Sequence, residues 1–149
     1  VFYIGGTKVG AMLGEALVYT NMRAPKYVFT IIKRHGALLA KGRMLGLQFD
    51  TLFTDNLYFR VARHAIDMAK RLQIVFEKHG LRMGIDSPTN QQFVILTSQQ
   101  KEKLMREIAF EVWEPIGDGR LLCRFVTCWA TTEADIEALD EALGRLSQD

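Results

Sequence analysis

Residues 4 to 13, IGGTKVGAML, hold a single cation in an apolar setting. Lys8 stands between Thr7 and Val9, with Gly5, Gly6 and Gly10 close by. A phosphate loop of the Walker type needs G-x-x-x-x-G-K-[ST], but here Val9 follows the lysine and the glycine spacing is wrong. The dinucleotide fingerprint G-x-G-x-x-G is missing too. Amine chemistry remains. A lysine that forms a Schiff base must be desolvated, so that its amine is neutral often enough to attack a carbonyl. It must also be reachable. Small neighbours let a flat ring approach, and Thr7 offers a hydroxyl to a phosphate oxygen. The competing reading is a surface lysine on a tight glycine turn, and these residues alone leave both open.

Two further cationic features stand out. Lys33, Arg34 and His35 cluster, GALLA intervenes, and Lys41 and Arg43 follow. Such a run either complements a helix dipole as a solvated helix end or neutralises an anion. In LLCRFVTCW, Arg124 interrupts an apolar strand. A buried arginine is costly unless paired, and its planar fork suits a carboxylate. The alternative is a strand arginine facing solvent at a sheet edge. Asn90, in SPTNQQF, reads first as a turn residue tying the backbone. His35, His64 and His79 read as structural, His79 at the end of a helix where the dipole favours it. Asp50 and Asp55 read as helix-end residues.

These side chains need elements to hold them. The apolar run VFYIGG before a glycine turn reads as the end of a buried strand whose neighbours lie upstream, so the chain reads as a piece of a larger protein. Gly6, Gly10 and Gly14 recur at a spacing that permits close backbone approach. EALVYTN (15–21) reads as a strand. Pro25 opens a helix over about 26 to 35 that stops at Gly36, and a second helix covers about 41 to 53. The clearest helix starts at Thr54 or Asp55 and reaches His79, with Leu57, Val61, Ala65, Met68, Leu72 and Val75 on one stripe and Gly80 as C-cap. LRMGIDS reads as a short strand, SPTN as a turn and QFVILT as a buried strand. Ser98 caps a helix to about 107. AFEVWEPI and RLLCRFVTCW form strands joined by Gly117-Asp118-Gly119. The last helix starts at Thr131 or Thr132, with Thr132 and Asp135 spaced as a capping box and a stripe of Ile136, Leu139, Leu143 and Leu146. A long helix thus leads into a β-α-β-β-α unit.

Bulk properties narrow the classes. The chain has 149 residues, 48% hydrophobic and 24% charged, enough for one core of globular type. A net charge of +2 gives no polyanion signal, so nucleic acid is not expected. No apolar run approaches the roughly 18 residues of a membrane span, and no membrane partner is expected. Cys123 and Cys128, five apart in a strand-like segment, point to opposite faces; no disulfide and no zinc site follow, and a reducing, cytoplasmic compartment is the expectation.

Four stretches carry a resemblance: FYIGGTKVGAMLGEALV, RHGALLAKGRMLGLQFDTLF, IDSPTNQQF and RFVTCWATTEADIE. In order and spacing they resemble the threonine aldolase branch of the β-eliminating lyases, fold-type I pyridoxal-phosphate enzymes. The resemblance covers almost the whole chain but only the C-terminal part of such an enzyme, beginning just before the cofactor lysine. It implies an α/β fold, α+β towards the C-terminus. Residues 1–54 would be a remnant of the cofactor-binding large domain, 55–79 a connecting helix, and 80–149 a small C-terminal domain.

The resemblance also implies roles. Lys8 matches the Schiff-base lysine of a pyridoxal 5′-phosphate site, with Thr7 beside it. Arg34 and Lys41, or Arg43 in place of Lys41, match the basic pair that reaches the cofactor phosphate. Lysine at a position expected to hold arginine would keep charge but lose the bidentate fork. Arg124 matches the arginine that binds the α-carboxylate of an amino acid substrate. No metal is implied. The activity implied is cleavage of a β-hydroxy-α-amino acid to glycine and an aldehyde, by a homodimer or homotetramer with the site at a subunit interface. Another β-eliminating lyase of the same fold, or a piece without activity of its own, are the alternatives. The histidines near the cofactor ring and the aspartate on its pyridine nitrogen belong to the half not matched here, and no residue here reads as the base for the β-hydroxyl. The isolated chain is expected to turn over negligibly, and exposed apolar strand edges are expected to make it self-associate.

Overall fold

A computed structural model describes residues 1–20 and 24–146. The chain divides into two compact units, Val1–Val61 and Ala62–Asp149.

In the first unit, strand β1 (Phe2–Gly5) pairs antiparallel with β2 (Glu15–Val18), Phe2 opposite Val18 and Gly5 opposite Glu15. The opening strand is exposed, where its apolar run predicts burial. Val1, Phe2 and Tyr3 are largely exposed, and the strand's partner lies downstream in a two-stranded sheet. β2 stops at Val18, short of the expected span, whose end at Asn21 lies outside the described residues. Val28 N donates to Pro25 O, so the proline sits in the turn ahead of helix α1 (Val28–Arg34) rather than inside it. Gly36 follows at φ +69, where glycine alone is unstrained. Helix α2 (Arg43–Phe53) comes next. Asp55 and Asn56, at φ +50 and +57, break the path between it and α3 (Leu57–Lys78). The long helix therefore starts at Leu57, where its apolar stripe begins, and not at Thr54 or Asp55 as expected.

In the second unit, α3 buries Ala65, Met68, Leu72, Val75 and the fully enclosed Phe76, and Gly80 follows at φ +67. Four strands, β3 (Met83–Ile85), β4 (Gln91–Thr97), β5 (Glu111–Gly117) and β6 (Arg120–Val126), form an antiparallel sheet in the order β3-β4-β6-β5. Helix α4 (Ser98–Leu104) joins β4 to β5. Its cap is Thr97, not Ser98. The Thr97 hydroxyl accepts from Gln100 N at 3.1 Å, and the Gln100 side chain accepts from Thr97 N at 2.9 Å. The helix also ends at Leu104, earlier than expected. α5 (Glu133–Leu146) has the anticipated box: Thr132 Oγ1 accepts from Asp135 N, and Asp135 Oδ2 accepts from Thr132 N.

One core unites Phe76, Val94, Leu96, Cys123, Phe125, Leu139 and Leu143, so one sheet face packs on the helices. β6 stops at Val126, which leaves Cys128 outside the strand rather than on its far face; both cysteines are free, and burial pushes the Cys123 thiol up. β5 is exposed along its length, and its pairing to β6 slips twice, between Val112 and Glu114 and between Pro115 and Gly117. Among the described residues, no helix is long and apolar enough to cross a membrane.

Candidate functional site

The loop between β1 and β2 carries Lys8 in a single 3₁₀ turn, Thr7–Val9. Two of its glycines, Gly6 and Gly14, stand where a side chain does not fit. A Cβ on Gly6 would stand 2.8 Å from Ala11 Cβ and 3.3 Å from Phe49 Cζ, and Gly14 at φ +99 meets Leu45 at 2.8 Å. Two helices buttress the loop further: from α2, Gln48 Oε1 accepts from Met12 N at 2.7 Å, and from the start of α3, Tyr58 OH donates to Gly5 O at 3.1 Å. Val9 is buried under the turn, while Thr7 and Lys8 are exposed. The amine is therefore presented on a tightly held backbone, but it is solvated rather than desolvated as the Schiff-base reading required.

Arg34 is the last residue of α1, Lys41 lies in the turn before α2, and Arg43 is the first residue of α2. All three are exposed. None of Thr7, Lys8, Arg34, Lys41 and Arg43 makes a side-chain hydrogen bond or ion pair with another among the described residues. An apolar cavity of 460 Å³ lined by Val9, Met12, Leu13, Met44 and Leu47 includes none of these cations, so it offers nothing to a phosphate.

Arg124 lies in the second unit, on the sheet face away from the helices, since Cys123 and Phe125 on either side of it enter the core. It is half-buried, Phe93 stands opposite it on β4, and Glu111 stands opposite it on β5. Nη1 donates to Gln91 Oε1 at 2.9 Å, and Nη2 pairs with the Glu111 carboxylate. The guanidinium carbon lies 4.7 Å from the centroid of the Trp113 ring. Nε is buried and has no hydrogen-bond partner among the described residues.

Beside Arg124, a polar network fixes the turn into β4. Gln92, almost fully buried, donates to Ser87 O at 3.2 Å and Thr89 O at 2.8 Å, and accepts from Gln73 Nε2 at 2.7 Å. Asn90 Nδ2 donates to Thr127 O at 2.7 Å, so Asn90 ties the turn to the end of β6. His79 and Lys78 both reach Asp140 at 2.6 Å, and His64 Nε2 meets Thr131 O at 2.7 Å; these histidines fasten α3 locally. Asp50 lies in the last turn of α2, where its carbonyl accepts from Thr54 Oγ1. Sequence reasoning passed over Gln73, Gln92, Glu111 and Trp113. Gln92 gave a signal, an amide in the run QQFVIL where alternation demands burial.

No family model matches the chain. A Sphingomonas wittichii serine palmitoyltransferase structure is 18% identical over 70% of the chain, with a TM-score of 0.53, which is a likeness of fold. The fold is that of the C-terminal region of the fold-type I enzymes, a helix followed by a small sheet domain. Within that class the resemblance to the threonine aldolases is shown. A Leishmania major threonine aldolase structure is 40% identical over 97% of the chain, with a TM-score of 0.91. Low specificity L-threonine aldolases of Pseudomonas sp. and Pseudomonas aeruginosa are 29% and 30% identical over 93% and 95% of the chain. The chain spans about two-fifths of the length of these relatives: 42% of the Leishmania chain, 40% and 39% of the Pseudomonas sequences.

Proposed function

We propose that this chain is the C-terminal portion of a pyridoxal-phosphate-dependent aldolase that cleaves a threonine-like β-hydroxy-α-amino acid to glycine and an aldehyde. The observation that carries this is the likeness over 97% of the chain, at 40% identity, to a threonine aldolase structure. The donor set fits the group: a primary amine for an aldehyde, the Thr7 hydroxyl beside it, and for a phosphate the cations Arg34, Lys41 and Arg43, unpaired among the described residues. When bound, pyridoxal phosphate supplies the electron sink for bond cleavage at Cα.

The residues of this chain then divide the work. Lys8 holds the group through its amine and moves protons at that nitrogen. Arg34, with Lys41 or Arg43, neutralises the phosphate. Arg124 binds the α-carboxylate and so fixes rotation about Cα, an alignment effect. The relatives' names support threonine as the type of substrate, and an oligomeric assembly belongs to the same proposal. Incubation with pyridoxal phosphate, borohydride reduction and mass mapping tests the assignment. A dominant adduct on Lys8, lost in Lys8→Ala, is expected. Adducts spread evenly over the surface lysines would sink it.

A further inference from the structure

The hairpin β5–β6 holds a detail that the proposed substrate role of Arg124 leaves unused. Counted outward from Gly117 opposite Arg120, a regular ladder would set Trp113 opposite Arg124. Two slips intervene, and they bring Glu111 opposite Arg124 instead. The second slip falls at Trp113, whose indole lies over the guanidinium. Bulges re-aim side chains in this way. The outcome is a carboxylate paired with Nη2, Gln91 on Nη1 and an aromatic face over the plane. Glu111 is well exposed and sits on an edge strand, so it can swing into water at little cost.

We propose that Glu111 is a resident counter-ion of Arg124, whose carboxylate must leave before Arg124 can accept the carboxylate of an amino acid. This rests on Arg124 being the carboxylate site. Glu111 sets how tightly that site binds, because every incoming carboxylate competes with one already in place. It is a positioning residue, and it also discriminates against weak anions that cannot displace it.

Trp113 is a built-in reporter. In a Trp129→Phe background it is the one remaining tryptophan, since the chain has two. Its emission is followed during acetate titration of the 149-residue chain at constant ionic strength. Glu111→Gln is expected to tighten acetate binding roughly 2- to 5-fold over the parent, the range of a surface ion pair. Glu114→Gln removes the same charge from the same strand and is expected to change nothing. Arg124→Lys, which keeps charge and loses the fork, is expected to bind more weakly. Equal binding by the parent and Glu111→Gln, with loss in Arg124→Lys, overturns the role of Glu111 and leaves Arg124 assigned. An equal gain in Glu114→Gln overturns it as well. A response unchanged in Arg124→Lys, or absent from every protein, overturns the Arg124 assignment and this inference together.

Discussion

Asp140 shows how a single side chain can be assigned by its partners. The Lys78 ammonium and then the His79 ring hold its carboxyl below the ordinary value of 3.8. A carboxyl depressed in the folded state contributes stability above its unfolded value, and that contribution is lost as pH falls through the folded one. Asp140→Asn is therefore expected to be less stable than the parent near neutral pH, with the gap closing on acidification below the carboxylate range. Urea unfolding at a series of pH values would check it, and a gap independent of pH would refute it. Some of this scale was legible in the sequence. Lys8 announced itself by its glycines and Arg124 by interrupting an apolar strand. Glu111 did not, because an exposed glutamate in a strand becomes notable only once the register is known. That register is set by two slips that no counting of residues reveals.

At the scale of elements, periodicity was a good guide wherever one face is buried. Helix α3 follows its stripe, and the Gly80 and Thr132/Asp135 caps stand where their chemistry placed them. Adjacent hydroxyls defeated the α4 cap, since Thr97 and Ser98 offer the same oxygen one residue apart. β1 misled for a different reason: an apolar run records burial only if something covers it, and here both faces are largely open. The turn ahead of β4 depends on one buried amide. Gln92→Leu would strand the carbonyl of Thr89 and leave Gln73 and Ser87 only the long bond between them, at 3.5 Å. A loss of about 1 to 3 kcal/mol is expected in chemical denaturation. A neutral substitution would mean that water replaces the amide.

For the molecule as a whole, the two units differ in how they are held. Among the described residues, Val9 and Leu52 are the buried apolar side chains of the first unit, whereas the second encloses a continuous core around Phe76 and Leu143. Segments with little buried apolar surface open at low free energy. Amide hydrogens of β1, β2 and α1 are therefore expected to exchange with solvent well before those of β4, β6 and the middle of α3. Uniform protection in both units, measured by hydrogen exchange and mass spectrometry, would contradict this. Under the proposed function, the cofactor lysine Lys8 would then ride on the softer unit and the carboxylate-binding Arg124 on the firmer one.

The exposed strand β5 has one more consequence. A long, flat sheet border is a template on which a foreign chain can zipper, amide by amide. Along β5 that template is spoiled: Pro115 has no amide hydrogen to offer, and the ladder loses step at Ile116 and Trp113. The opposite border, β3, is only three residues long. Any sticking of this unit to copies of itself would then have to run through side-chain surfaces, leaving fibrous stacking of backbones disfavoured at both ends of the sheet.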